Sequence, residues 1–314
     1  MSEPSDGASA EAPHGVRTLV QEAARKLLLV HAAEDVDDAR LQAELLYGEA
    51  AGLDRARVIA AGDRPADPAA IERFEAFVTR RLDHEPLAYI LGRREFYGLT
   101  FEVGPGALVP RPETEGVVEV ALAAIREHPR THRLVHVADI GTGSGIIGLS
   151  IAQHAPQAQV TCVDISGEAL QWAGRNMRRF GLQDRVVLLM SDLCDSLQEP
   201  VDVLCANLPY VSTEEFEALP AQIREREPRV AVEGGEMGIE LIDRLAKQLP
   251  THLAADTAAV ILEMGSGQMG WVEDLVLKAL REAGRGPLEA RQHRDLRGIR
   301  RVLEVRVGEW PSQA

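Results

Sequence analysis

Asn207-Leu208-Pro209-Tyr210 follows directly on the apolar run Val201-Asp202-Val203-Leu204-Cys205-Ala206. A short apolar run of this kind reads as a buried strand, and open α/β sheets build their ligand sites at the carboxyl ends of their strands. The tetrapeptide would then offer a carboxamide, an exposed main-chain carbonyl and an aromatic ring at such an end. These groups suit a planar amino or amide nitrogen. The lone pair of that nitrogen is delocalised, so holding it matters more than deprotonating it. Two N–H donors held by the Asn207 side-chain oxygen and the Leu208 carbonyl would aim the lone pair at an electrophile. Pro209 pushes Leu208 toward an extended conformation that presents the carbonyl. Tyr210 can pack on the planar group, and its ring face favours a nearby cation. A plain turn after a strand is the competing reading, since Asn and Pro are common there.

A second constellation lies upstream in Val137-Ala138-Asp139-Ile140-Gly141-Thr142-Gly143-Ser144-Gly145, an apolar strand running into a glycine-rich turn. Gly141, Gly143 and Gly145 let the backbone come close to a ligand, and the helix beginning near Ile146 offers N–H groups to an anion. The dinucleotide fingerprint wants glycine where Ile146 stands, so a carboxylate-bearing nucleoside fits better than a nicotinamide cofactor. Asp164 closes the next apolar run, where an acidic side chain can take both ribose hydroxyls; the competing reading is a helix N-cap. Ser191-Asp192-Leu193 closes the third run and could bracket an adenine ring, while Asp139 either orders the glycine loop or approaches the ligand's amino group. Sites at three successive strand ends point to methyl transfer.

The elements that must position these groups can be read from periodicity. Val16, Leu19, Val20, Ala23 and Leu27 recur at helical spacing; Leu41 and Leu45 mark a second helix, and Ile71, Phe74, Val78 and Leu82 a third, after the turn-rich break Gly62 to Pro68. A small helical bundle therefore precedes residue 92. Aromatic and β-branched residues from Glu95 to Val103, bounded by Gly104-Pro105-Gly106, predict a hairpin linker. Pro110 and Pro112 fix the entry to a helical segment from Val117, and Glu113 and Glu115 suit its first turn. Beyond His132, apolar runs at Leu134 to Ile140, Gln159 to Asp164, Val186 to Met190, Val201 to Ala206 and Ala258 to Glu263 alternate with helical stretches. That alternation is the signature of a mostly parallel sheet covered on both faces. Arg301 to Val307 alternates like a half-exposed antiparallel strand.

The formal net charge of −15 argues against a protein whose main task is to coat nucleic acid. Arg291, Arg294, Arg297, Arg300 and Arg301 form a local basic candidate, read as a solvated face or turn. Cys162, Cys194 and Cys205 lack metal or disulfide spacing and fit buried thiols in a reducing cytosol. His128 and His132 have the spacing of a helical metal pair, but Pro129 between them breaks the helix, so no metal is expected. No apolar run approaches membrane-spanning length, and Met1 to Gly15 read as a disordered tail rather than a signal peptide.

From about Val16 onward the chain resembles the release-factor glutamine methyltransferases. The resemblance is carried by Glu85-Pro86-Leu87-Ala88-Tyr89-Ile90-Leu91-Gly92, Phe96-Tyr97-Gly98, Val109-Pro110-Arg111-Pro112-Glu113-Thr114-Glu115, the Gly141 turn, Asn207 to Tyr210, Glu227-Pro228-Arg229-Val230-Ala231 and Glu263-Met264-Gly265-Ser266-Gly267-Gln268. It implies a class I S-adenosylmethionine-dependent methyltransferase, Rossmann-like with a seven-stranded, mostly parallel sheet. The implied organisation is a tail over 1–15, a helical substrate-docking domain over 16–91, a β-hairpin linker over 92–112 and the methyltransferase domain over 113–314. The implied activity is methylation of the side-chain amide of the glutamine in the Gly-Gly-Gln loop of peptide chain release factors, in the cytoplasm, by a monomer that binds neither membrane nor nucleic acid. Gly141, Thr142, Gly143, Ser144, Gly145, Asp164, Leu193 and Asn207 are the implied S-adenosylmethionine residues, and Asn207, Leu208, Pro209 and Tyr210 the implied catalytic set. Methylation of a ribosomal-protein glutamine and of an adenine amine are the alternatives. Two positions depart from the family pattern: Leu208 stands where its motif Asn-Pro-Pro-Tyr has the first proline, and Arg300-Arg301 where it has Asp-Arg.

Overall fold

The computed structural model describes residues 15–129 and 134–311. The chain divides into two compact units, Met1–Leu91 and Gly92–Ala314. His132 of the histidine pair and nearly all of the expected tail lie outside the described residues.

The first unit is helical, with Val16–Leu29, Val36–Ala51, Arg55–Ala61, Pro68–Leu82 and Leu87–Leu91 as its elements. Asp35, Asp54 and Asp67 start three of these helices by accepting from the backbone N–H groups of Asp38, Arg57 and Ala69, the usual role of a short acceptor side chain at an N-cap. The helix expected around Leu41 and Leu45 is present, but its buried face runs through Ala39, Ala43, Leu46, Tyr47 and Ala50 instead. Ala39, Ala43 and Ala50 let neighbouring helices approach while Leu46 and Tyr47 fill the core between them.

Among its described residues the second unit contains eleven strands: β1 Arg93–Phe96, β2 Leu99–Glu102, β3 Val135–Ile140, β4 Ala158–Asp164, β5 Val186–Met190, β6 Val203–Ala206, β7 Val211–Ser212, β8 Glu233–Gly235, β9 Ala258–Glu263, β10 Leu288–Arg294 and β11 Arg300–Val307. β1 and β2 pair antiparallel around Tyr97 and Gly98, both at positive φ, the backbone that a two-residue hairpin turn demands. Seven strands form one sheet in the order β10-β11-β9-β6-β3-β4-β5. Its first five strands in the chain run parallel, and β11 and β10 return antiparallel at one edge. β6 and β9 are buried at every residue, as strands covered on both faces should be.

The basic C-terminal cluster is a solvated face built on two strands and the turn between them, with Arg294, Arg297 and Arg300 exposed. Arg291 and Arg294 belong to β10, Arg300 and Arg301 to β11, and only Arg297 sits between the strands. Leu288–Arg294 reads as polar because it is an edge strand, where charged side chains discourage pairing with other chains. Arg301, where the family's Asp-Arg pair is altered, lies 3.6 Å from the Asp295 carboxylate, so an acidic partner is still supplied locally. No helix among the described residues is long and apolar enough to cross a membrane.

Candidate active site

Strand order brings the two constellations together. The chain leaves β3 for β4 and β5 on one side, then returns to β6 on the other side of β3. At such a switch point the loops after the two central strands diverge and leave a crevice. The register pairs Ile140 with Ala206, so the turn at Gly141 and the segment from Asn207 leave the sheet side by side. A Cβ built on Gly141 would lie 3.0 Å from Leu208 Cδ2, showing that the leucine packs directly on the bare turn.

One cavity at this point is lined by Gly141, Gly143, Asp164, Leu193, Asn207 and Leu208, among others. Gly141, Gly143 and Gly145 all have positive φ, the conformation glycine adopts without strain. Asp164 is not the N-cap of the following helix. Ser166 fills that role, accepting from the Ala169 N–H, while the Asp164 carboxylate accepts from Gly143 N–H and Ser166 N–H, both at 2.8 Å. Each oxygen keeps a lone pair for a further donor. Burial raises the Asp164 pKa above the ordinary carboxylate value, against the pull of these backbone bonds.

Thr142, Ser144 and Gly145 do not line this cavity. Thr142 instead donates to the fully buried Asp139 carboxylate at 2.6 Å, which also accepts from Gly148 N–H at 2.8 Å. Asp139 therefore orders the loop, the first of its two expected roles. Desolvation lifts its pKa to about 6. Ser144 is buried beneath the turn, where its carbonyl accepts from Asn176, and Gly145 supplies the bend into the helix Ile146–His154. At the third strand end Ser191, Asp192 and Leu193 all border the cavity, and Asp192 pairs with Arg244 at 2.7 Å. Leu193 holds a positive φ of 50°, a left-handed conformation uncommon for a leucine and often found where a ligand site fixes the backbone.

Asn207, Leu208 and Pro209 also border a second cavity, which Tyr210, Arg111 and Ile223 line as well. The segment, with Leu108 and Ala231, is common to the linings of both cavities and forms the partition that the two chambers share. Tyr210 lines the second of these cavities. Its hydroxyl faces Glu263 at 3.4 Å.

The Asn207 carboxamide is tied to a buried neighbour through its amino end. Its Nδ2 donates to Thr114 Oγ1 at 3.0 Å. Asn207 Oδ1 and the Leu208 carbonyl accept no hydrogen bond among the described residues. Thr114, Glu227, Glu263 and Gln268 were not singled out by sequence reasoning, although all four lie in the quoted strings. Glu227 clamps the loop before Thr114 by accepting from Val109 N–H at 3.0 Å and Arg111 at 2.5 Å. Gln268 clamps the partition, donating to the Tyr210 carbonyl at 2.9 Å and accepting from Gly265 N–H at 2.8 Å.

Leu208 is 4% exposed and part of the main core, so it contributes packing that proline would supply less well. Leu208→Pro is expected to leave methyl transfer within about tenfold, a barrier change of under ~1.4 kcal/mol. It should also lower stability by about 1–2 kcal/mol through lost burial. Thermal unfolding beside a single-turnover assay checks both; a rate loss well beyond this would mean that the partition depends on leucine for its shape.

A larger cleft of about 620 Å³ lies on the helical unit, lined by Val20, Leu28, Val36 and Ile59 with Arg25 and Arg40 at hand. It gathers no set of groups suited to proton or group transfer, so the chemistry is assigned to the crevice in the sheet. No group of three or more His, Cys, Asp or Glu among the described residues is placed to hold a metal ion.

Comparison with known proteins agrees with this geometry. Residues 19–92 match the PrmC N-terminal domain and residues 118–248 the methyltransferase small domain. A release factor glutamine methyltransferase from Rhodopirellula baltica is 39% identical over 268 residues, covering 85% of this chain and 88% of that protein. The chain belongs to the release factor glutamine methyltransferase family. A second member, from Moorella thermoacetica, is 40% identical over 261 residues, covering 83% of this chain and 89% of its own. Among solved structures, the hMettl16 catalytic domain in complex with MAT2A 3'UTR hairpin 6 aligns with a TM-score of 0.51 at 17% identity, covering 76% of this chain and 81% of that one. That likeness speaks for the fold alone, which is the class I methyltransferase fold of this family.

Proposed function

We propose that the protein transfers a methyl group from S-adenosylmethionine to the side-chain amide nitrogen of the glutamine in the Gly-Gly-Gln loop of peptide chain release factors. The observation that carries this reading is the Asn207 carboxamide. With Nδ2 engaged by Thr114, Oδ1 is left as an acceptor beside the Leu208 carbonyl. A primary amide brings two N–H donors, matching two acceptors, and a nitrogen so held keeps its lone pair out of both hydrogen bonds. Bound S-adenosylmethionine supplies an electrophilic methyl on a sulfonium; methylation joins it to nitrogen, breaks the carbon–sulfur bond and releases one amide proton.

The chain's residues fit that donor. Asp164 keeps acceptor capacity for ribose hydroxyls, Gly141 and Gly143 allow close approach of the backbone, and Leu193 borders the cavity with Ser191 and Asp192 where a base would lie. The second chamber, walled by Leu108, Arg111 and Ile223, receives the glutamine arm. The partition Asn207-Leu208-Pro209 then keeps donor and acceptor apart except at the reacting nitrogen. In this reading residues 16–91 dock the release factor and Thr142, Ser144 and Gly145 act by shaping the donor loop. Tyr210 contributes the wall of the acceptor chamber, and a substrate of the translation machinery places the enzyme in the cytoplasm.

Incubation with labelled S-adenosylmethionine and a purified release factor tests the reading, beside the same factor with its loop glutamine replaced. Label is expected on the first and not on the second. Label that persists on the altered factor, or that appears only on a ribosomal protein, would overturn the assigned acceptor.

A further inference from the structure

Glu168, Trp172 and Asn176 are spaced to share one face of the helix Gly167–Arg179, which begins just after Asp164. The chain leaving β2 runs back along that face and is held at successive points. Asn176, fully buried, accepts from Glu102 N–H at 2.7 Å and donates to the Glu102 and Ser144 carbonyls, each at 2.9 Å. Trp172 Nε1 donates to the Pro105 carbonyl at 2.9 Å. A Cβ added to Gly104 would run into the indole ring, so the chain lies against Trp172 only because it is bare there. At Gly106 an added Cβ would lie 2.7 Å from Glu168 Oε2. The Arg175 guanidinium, 4.5 Å from the indole centroid, covers the ring.

Gly106, Ala107 and Leu108 line the cavity that Gly141, Gly143 and Asp164 also line, and Leu108 lines the acceptor cavity as well. We infer that Trp172 is a positioning residue for the methyl donor: through the Pro105 carbonyl and the bare Gly104 it holds the strap Gly104–Leu108 in place as a wall of the donor cavity. The inference rests on the reading of that cavity as the S-adenosylmethionine site. Trp172 does not itself line the cavity, so its effect on the donor passes through the strap. A tryptophan that merely packed the hairpin onto the helix would add stability and leave the donor untouched.

Linkage gives the contact a second signature. If the strap contact raises donor affinity, bound donor must tighten that contact by the same factor. An indole N–H bonded to a carbonyl exchanges with solvent when the contact opens, so its exchange rate reads the tightening.

Trp172→Phe keeps a ring against Gly104 and removes the N–H, whereas Trp172→Ala removes both. Affinity for S-adenosylmethionine, measured by calorimetric titration, is expected to fall about fivefold in the first, the worth of one hydrogen bond, and about tenfold in the second. Transfer at saturating donor should stay within about threefold, because Asn207 is tied to Thr114 and not to the strap. In the wild type the Trp172 indole N–H signal, assigned by its loss in Trp172→Phe, should exchange about fivefold more slowly with donor bound. Gly104→Ala supplies an independent arm, since Gly104 has no positive φ and alanine there meets only the indole. Donor affinity should fall about tenfold in Gly104→Ala, but the same change should add less than about twofold in a Trp172→Ala background. Thermal unfolding beside the titrations shows that each variant is folded at the assay temperature. Unchanged donor affinity in both Trp172 variants, beside a clear loss in Asp164→Ala, would overturn the inference and leave the donor site standing. Indole exchange that donor does not slow, or equal losses from Gly104→Ala with and without the indole, would overturn it too. If Asp164→Ala also binds the donor normally, the donor lies elsewhere and the inference falls with that reading.

Discussion

Replacing Asn207 with alanine is expected to lower methyl transfer about 10²-fold, the scale on which enzymes lose rate when a reacting group is no longer held in line. Donor affinity should stay within about threefold, a difference of less than ~0.7 kcal/mol. The asymmetry follows from position. Asn207 borders both chambers, but its side chain is tied to Thr114 and not to the Asp164 carboxylate that anchors the donor reading. Its Oδ1 is one of two acceptors for the glutamine amide, so removing it leaves one N–H without a partner and the lone pair free to wander. A cost to the fold accompanies this: Thr114 is fully buried and loses a donor, a defect of about 1–3 kcal/mol if nothing replaces it. Calorimetric titration of the donor, single-turnover transfer and thermal unfolding separate the three effects. Equal loss of donor binding and transfer would reassign Asn207 to the donor site.

The difference between what could and could not be read in the sequence follows from distance along the chain. β3, β4, β5 and β9 are contiguous apolar runs, from β9, buried at every residue, to the edge strand β5, where Val187 and Met190 are exposed, and their spans emerge within a residue of expectation. The glycine turn and Asp164 are likewise local signals, each attached to the end of such a run. The Asn207 segment was equally visible, because a polar amide after a buried strand is out of keeping with its neighbours. What holds these groups was hidden. Thr114 and Asn207 are 93 residues apart and Tyr210 and Glu263 are 53 apart, and only the sheet order makes them neighbours. Glu263 reads in sequence as the last residue of an apolar strand, Glu227 as a charge in a polar loop. Tyr210 lines the second cavity and its carbonyl is held by Gln268, 58 residues away in the chain. β10 was lost for the opposite reason: an edge strand dressed in charges carries almost no periodic apolar signal.

For Asp164→Ala the balance reverses, with donor affinity falling about 10²-fold, equivalent to ~2.7 kcal/mol, the scale of one or two hydrogen bonds to a charged group. Transfer at saturating donor should fall much less, because the partition and the acceptor chamber are left in place. The carboxylate has two tasks, and both weaken donor binding when it is removed. Its oxygens serve the ribose hydroxyls in the proposed complex, and they hold Gly143 N–H and Ser166 N–H, which fixes the glycine turn. Asp164→Asn separates these tasks: it keeps one acceptor oxygen but aims an NH₂ at a backbone N–H that needs an acceptor, so it should be only partly better than alanine. Acid pH provides an independent check on the charge. Ionised Asp164 binds hydroxyl donors more strongly than its protonated form, and burial holds its pKa above the ordinary carboxylate value. Donor affinity should therefore weaken as pH falls through that raised value, earlier than for an exposed aspartate, and this part of the pH dependence should vanish in Asp164→Ala. Donor titration across the acid range reads the effect directly. An Asp164→Ala protein with unchanged donor affinity and a collapsed transfer rate would place Asp164 with the acceptor rather than the donor.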